Sequence, residues 1–237
     1  MEETRPPALD APARALAIGA HPDDLEYFAG ATLANLARRG TQVSLVVCTD
    51  GARGASDVGG LAWRRRQEAE EAAAVLGLGS PIYLGFLDGS LVPDDELRGR
   101  LVHAIRRHRP ELLLVHDPTT FWTRIGGLDR FGHSDHRAAG EAALDAVMPR
   151  APLATFHPEH AAEGLKPWIV REVWLFDTAA PDHFVDVRGE LDRKRRSLAC
   201  HVSQNPAMLT DDVARLEDSH AGRAGFPAEG FRRLRMY

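Results

Sequence analysis

His21, Asp23 and Asp24 fall in the run Ala20-His21-Pro22-Asp23-Asp24. Imidazole and carboxylate at that spacing form a fragment of a metal site, and a distant partner is needed to close it. Gly132-His133-Ser134-Asp135-His136 supplies one. A zinc-like ion takes three nitrogen or oxygen ligands and keeps one position for water, a set that His21, Asp24 and His136 can furnish. His21 and Asp24 sit on either side of a strand-to-helix turn, where both can face one point, while Asp23 projects elsewhere. A free carboxylate beside a water whose pKa an ion has lowered toward ~7 is a general base. In the second cluster His133 and His136 share one helical face if the turn has begun there, so one can bind metal while the other faces substrate. Asp135 can bond an imidazole, fix its tautomer and raise its pKa, which suits a histidine that stabilises an oxyanion and protonates a leaving amine. Each group also has a plainer use: Asp23 and Asp24 are good residues for starting a helix, and Asp88-Gly89 is first a turn.

These clusters need a scaffold that brings residues 20–24 and 132–136 together. Apolar runs at 15–20, 43–48, 82–86 and 112–115 read as strands. Leu25, Phe28, Thr32 and Leu36 mark one face of a first helix, which Gly40 stops, and 64–76, 95–108 and 134–147 read as further helices. Strand and helix in alternation predict a parallel sheet covered on both faces, with ligands at the C-terminal ends of its strands. After Pro149 the pattern changes. Strands at 170–176 and 183–187 predict an extension of antiparallel character, and helices at 191–202 and 211–220 follow. The Arg-rich stretch 231–237 has no clear assignment. The stretch 117–132, with Phe121 and Trp122, is long for a simple connection and reads either as a substrate loop or lid or as a mobile surface loop.

Length and composition suit one globular domain over 1–237, with 1–13 a flexible N-terminal segment. The chain is 44% hydrophobic and 27% charged with a formal net charge of -5, so no basic surplus points to nucleic acid. No apolar run reaches the length of a membrane span, and the polar start lacks a signal core. Cys48 and Cys200 lie far apart and read as free thiols, which fits a cytoplasmic setting. The sheet pattern alone also suits a dinucleotide-dependent oxidoreductase. That class fails at the first turn, where two carboxylates stand in place of a Gly-rich loop and would repel a pyrophosphate.

The order of motifs resembles the LmbE-like, or PIG-L, family of N-acetylglucosaminyl deacetylases, whose hallmarks are an AHPDDE-like and a later HPDH-like run. They stand here as Ala20-His21-Pro22-Asp23-Asp24-Leu25-Glu26 and His133-Ser134-Asp135-His136. The likeness continues through Thr49-Asp50-Gly51-Ala52-Arg53-Gly54, Arg65-Arg66-Gln67-Glu68, Leu84-Gly85-Phe86-Leu87-Asp88-Gly89 and His201-Val202-Ser203-Gln204. Leu25 before Glu26 and Ser134 in place of Pro depart from the pattern without removing a ligand.

The resemblance implies a Rossmann-like fold and a zinc-dependent hydrolase, with Fe2+ as the other candidate ion, that removes the acetyl group from a small N-acetylglucosamine conjugate. It implies His21, Asp24 and His136 as metal ligands, Asp23 as general base, His133 as oxyanion stabiliser or acid, and Asp135 as the group orienting His133. Arg65 and Asp88 match positions that contact the sugar or the group attached to it, Arg53 and Arg65 could meet the carboxylates of a malate-bearing substrate, and His201 is a further substrate-contact candidate. Apart from the family, Arg65 in its run of arginines would read as a solvated helix face. An amidase acting on a thiol-sugar conjugate and a non-catalytic sugar-binding protein of the same fold are the alternatives. A homo-oligomer is allowed. His103, His108, His116, His157, His160, His183 and His220 carry no motif and are unassigned.

Overall fold

A computed structural model describes residues 11–54, 59–125 and 128–236. Most of the expected N-terminal segment 1–13 therefore lies outside the described residues. The chain alternates β1 (Arg14–Gly19), α1 (Asp24–Arg38), β2 (Gln42–Thr49), α2 (Leu61–Leu76), β3 (Ile82–Phe86), α3 (Asp95–His108) and β4 (Leu112–His116). A short hairpin, β5 (Trp122–Ile125) and β6 (Leu128–Phe131), precedes α4 (Ser134–Asp145). The remainder is β7 (Glu172–Phe176), β8 (His183–Asp186), α5 (Leu191–Leu198), α6 (Pro206–Ala224) and β9 (Ala228–Arg235).

The main sheet has seven strands in the order β3-β2-β1-β4-β7-β9-β8. The first five in that order are parallel, and β9 and β8 add antiparallel pairings. Side chains alternate across each strand, which is why both faces are apolar. Leu16 and Ile18 of β1, with Leu113 and Val115 of β4, pack under Leu97, Leu101 and Ile105 of α3 and Ala138 and Ala142 of α4. Ala15 and Ala17, with Leu112 and Leu114, face Leu25, Phe28, Leu33 and Leu36 of α1 on the other side.

Chain order fixes where the crevice opens. From β1 the chain runs outward through β2 to β3, then returns over α3 to β4 on the opposite side of β1. The connections diverge between β1 and β4, and side chains just beyond those two strands meet at this switch point. The loop expected at 117–132 contains the β5–β6 hairpin, which leaves Phe121, Trp122, Leu128 and Phe131 exposed. The strand β9 takes in most of the unassigned C-terminal stretch and sits inside the sheet between β7 and β8. No helix among the described residues is long and apolar enough to cross a membrane.

Candidate active site

Four strand ends and the start of α4 contribute to one cavity region at the C-terminal edge of the sheet. His21, Asp23 and Asp24 follow β1, and Asp88 follows β3. His116 ends β4, Asp177 follows β7, and His133, Asp135 and His136 open α4. The cavity has a volume of about 430 Å³ and is lined by His21, Asp23, Asp24, Asp88, His133 and His136 among others. That volume suits a small ligand.

Asp24 is the centre. The His21 backbone N–H donates to its Oδ2 at 2.7 Å, and His116 Nε2 lies 3.0 Å from the same oxygen. Its Oδ1 faces His136 Nε2 at 3.2 Å. On its far side the His136 ring places Nδ1 2.9 Å from Asp177 Oδ2. A proton held at that outer nitrogen leaves the inner lone pair directed at Asp24. His21 repeats the arrangement: Nδ1 is 3.5 Å from Asp24 Oδ2, and Nε2 is shared between Asp88 Oδ1 at 3.2 Å and Asp135 Oδ2 at 3.3 Å. A carboxylate behind each imidazole is the pattern that fixes the tautomer of metal-binding histidines and raises their basicity.

The electrostatics agree. Burial by itself would lower the His21 pKa, but the charge of Asp24 and contacts with Asp135 and Asp88 push it up to about 12. Burial likewise opposes charge on His136, yet Asp24 and Asp177 raise it to about 9. Asp24 is held well below the usual carboxylate range against its own burial by His136, His116 and His21. Asp88 falls to about 2, chiefly through its contact with His21. Asp135 and Asp177 are lowered too, in spite of burial. The surplus of carboxylates thus calls for positive charge among the imidazoles. The donor atoms of His21, Asp24 and His136 lie within 4.8 Å of one another, so their chemistry and spacing fit a divalent cation.

Asp23 lines the cavity without joining this set, and its Oδ1 accepts a 2.9 Å bond from Arg65 Nη2. His133 stands at the start of α4 with its Nδ1 accepting the Asp135 backbone N–H at 3.1 Å. The neutral ring therefore carries its proton on Nε2. Burial and the neighbouring His21 charge lower its pKa.

The structure alters four sequence expectations. The carboxylate of Asp135 serves His21 and the Gly89 and Leu91 N–H groups, lying 3.9 Å from His133 Nδ1, because the first turn of α4 offers that nitrogen a backbone donor instead. His133 was expected to gain basicity and has lost it. Arg65 is only 3% exposed, so it is no solvated helix face; its guanidinium bonds Asp23 and the Gly51 carbonyl and lines the cavity. His201, the expected substrate-contact candidate, is 0% exposed, faces Glu26 Oε2 at 3.5 Å and is not among the residues lining the cavity. Arg53 remains an exposed cation at the cavity, its N–H on Asp88 and its Nη1 on Ser90.

Sequence reasoning missed His116 and Asp177. His116 is stacked 3.9 Å from the His136 ring and is fully buried. Neither residue sits in a motif. The usable signal was position: each stands at the C-terminal end of an apolar strand beside the switch point.

The PIG-L family model, described as GlcNAc-PI de-N-acetylase, matches residues 16–147. The diacetylchitobiose deacetylase of Thermococcus kodakarensis is 35% identical over 197 residues, covering 81% of this chain and 70% of that protein. The N,N'-diacetylchitobiose deacetylase of Pyrococcus horikoshii superposes with a TM-score of 0.85 at 27% identity, over 96% of this chain and 85% of that one. The 4-carboxy-2-hydroxymuconate hydratase GalB of Pseudomonas putida shares the fold, with a TM-score of 0.78 at 24% identity over 94% of this chain and 97% of its own. Because folds host unrelated chemistries, the family assignment rests on the matched sequence and not on that last likeness. With its motifs gathered at one strand edge and a family model spanning more than half its length, the chain belongs to the PIG-L family of de-N-acetylases.

Proposed function

We propose that the protein hydrolyses the N-acetyl amide of a small N-acetylglucosamine conjugate, with zinc held by His21, Asp24 and His136. The observation that carries this reading is the convergence of the inner faces of two carboxylate-backed imidazoles on Asp24, beside an unligated Asp23 in an open cavity. Two nitrogens and one oxygen suit zinc, and iron(II) is the second candidate. Bound there, the ion supplies Lewis acidity toward the amide oxygen and makes a water easier to deprotonate.

The remaining steps belong to the chain. Asp23 accepts the proton of the attacking water and returns it to the departing amine, one carboxylate serving as base and then as acid. His133 acts as a neutral hydrogen-bond donor from Nε2 to the oxygen on which negative charge develops, a role that its lowered pKa favours. Arg53, and Arg130 bonded to the Tyr27 hydroxyl at 2.7 Å, place cations at the cavity for the group attached to the sugar. The free thiols Cys48 and Cys200 fit a reducing, cytoplasmic setting.

The test is acetate release from free GlcNAc and its malate, inositol and chitobiose conjugates by metal-stripped protein with and without added zinc. Zinc-dependent release supports the reading, and the rank order identifies the attached group. No release from any of them by fully loaded protein overturns it in favour of another acyl group.

A further inference from the structure

His116 ends β4 and is fully buried, its ring stacked 3.9 Å from that of His136 and packed against Phe176 at 4.5 Å and Phe28 at 5.6 Å. An apolar side chain would fill such a slot. The imidazole instead buries Nδ1, which has no hydrogen-bond partner among the described residues, Asp177 Oδ2 standing 3.8 Å away. An unpartnered polar atom in the interior is costly, so packing does not account for a histidine here. Its other nitrogen does.

Nε2 lies 3.0 Å from Asp24 Oδ2. The Ala20 N–H approaches the same nitrogen from 3.4 Å, a longer contact with a neutral group. The carboxylate, closer and charged, fixes the tautomer: the ring carries its hydrogen on Nε2 and leaves Nδ1 bare. Oδ2 then accepts twice, from His116 at 3.0 Å and from the His21 backbone N–H at 2.7 Å. Those two bonds use the lone pairs of Oδ2, and Oδ1, facing His136 Nε2 at 3.2 Å, is the oxygen left for an ion.

A carboxylate released by one of its donors can close on a divalent cation with both oxygens. Asp24 would then add a second bond beside those of His21 and His136, crowding the position that a hydrolytic site keeps for water. Held through Oδ2, it supplies one bond.

We infer that His116 is a positioning residue for the metal centre: its Nε2–H holds Asp24 Oδ2, so that Asp24 binds a divalent cation through Oδ1 alone and one position of the ion stays open. The inference rests on the proposed function in taking His21, Asp24 and His136 as ligands, and it is independent of which amide is cleaved.

The experiment loads metal-stripped parent protein, His116→Phe, His116→Leu and His116→Gln with cobalt(II) and reads metal content, visible absorption and turnover of one cleaved conjugate. Cobalt(II) absorbs strongly when four-coordinate and weakly once a fifth bond forms, so the parent should show the strong band. His116→Phe keeps a ring in the stack and deletes the donor. It is expected to bind one ion per chain, to lose most of the band and to lower kcat about 10- to 100-fold with KM within about threefold. His116→Leu should do the same, which keeps the test alive if the larger ring prevents folding. His116→Gln can donate its amide N–H to Oδ2, and should keep the parent spectrum and recover most of the turnover. A weak band in the parent overturns the inference. So does the parent spectrum in His116→Phe or His116→Leu, whatever the turnover, and so does a His116→Gln that behaves like them. NMR of the imidazole nitrogens in the loaded parent needs no folded donor-less variant: hydrogen on Nε2 of His116 supports the inference and hydrogen on Nδ1 overturns it. If the parent cleaves no conjugate, the proposed function falls, while the spectra and the tautomer still decide the role of His116.

Discussion

Two regions of this molecule carry nearly the same set of side chains and differ in what those side chains can do. One is His21, Asp24 and His136 at the C-terminal edge of the sheet. The other is His157, Glu159 and His160, in the segment after α4, whose ligand-type atoms also lie within 4.8 Å of one another. Its rings are stacked 5.3 Å apart, and His103 of α3 stands at 5.3 Å from His160. Residue type and spacing do not separate the two. The partner of the second ring nitrogen does. Behind His136 and His21 stand carboxylates, which hold a proton on the outer nitrogen and free the inner one. Behind His160 stands Arg106, whose Nη1 lies 3.3 Å from Nδ1 while the same guanidinium donates to the carbonyls of Arg150, Ala151, Leu153, Phe156 and His157. An imidazole that accepts from arginine on one nitrogen must carry its proton on the other, so it has no lone pair left for an ion. Burial and the Arg106 charge lower the His160 pKa, the reverse of the direction at His21 and His136. The first group attracts a cation and the second repels one.

The contrast is breakable by substitution. His136→Ala removes a proposed ligand and is expected to take metal content from one ion per chain to none and turnover down by 10³-fold or more, whereas His160→Ala should leave both unchanged, as plasma emission and acetate release will show. An ion still bound at full stoichiometry in His136→Ala would place the metal elsewhere. Asp177→Ala tests the outer carboxylate. Metal affinity measured by competition with a chelator should fall about 10- to 100-fold, and Glu159→Ala should not move it.

The two regions should also answer pH in opposite senses. His136 is raised to about 9 in the metal-free fold, so its stabilising contribution is complete below the unfolded value near 6.5 and is lost as pH rises through about 9. His160 is lowered, so the fold binds fewer protons there than the unfolded chain and stability is lost as pH falls below about 6.5. Through His136 alone metal-stripped protein should therefore lose about 1–3 kcal/mol between pH 7 and 9 in urea titrations, and through His21, raised to about 12, it should lose more in the same direction. The loaded protein should not, because the ion replaces those protons. A flat profile for the stripped protein would remove the electrostatic half of the comparison. The smallest effect is expected at His103→Ala, which deletes an exposed 2.9 Å pair with Glu163 and should change stability by less than about 0.5 kcal/mol in the same titration.

Much of this arrangement was legible in the chain. The alternation of apolar runs with amphipathic stretches foretold the parallel strands and the helices on both faces, because each element's own period is enough to identify it. The His21–Asp24 and His133–His136 clusters were legible for the same local reason. The strand β9 was not. Its stretch Ala-Glu-Gly-Phe-Arg-Arg-Leu-Arg has little strand character, and it becomes an interior strand only by pairing with β7 on one side and β8 on the other. Its Glu229 is buried there because Lys194 reaches it at 2.6 Å and the Ala31 and Thr32 N–H groups donate to it, contacts between residues up to 198 positions apart. The hairpin within 117–132 escaped notice for a similar reason, since its four-residue strands pair only with each other.

By itself the sequence determined which side chains could bind an ion and take a proton, and on which kind of sheet they would sit, since motif spacing and hydrophobic period are local properties of the chain. Tertiary structure alone decided what stands behind each of them. It placed His116 and Asp177 around the candidate ligands, turned Asp135 toward His21, buried His201 against Glu26 and gave Arg65 to Asp23. Those assignments depend on which strand ends and loops meet in space, and the partner of a side chain's second polar atom is set by packing between segments far apart in sequence.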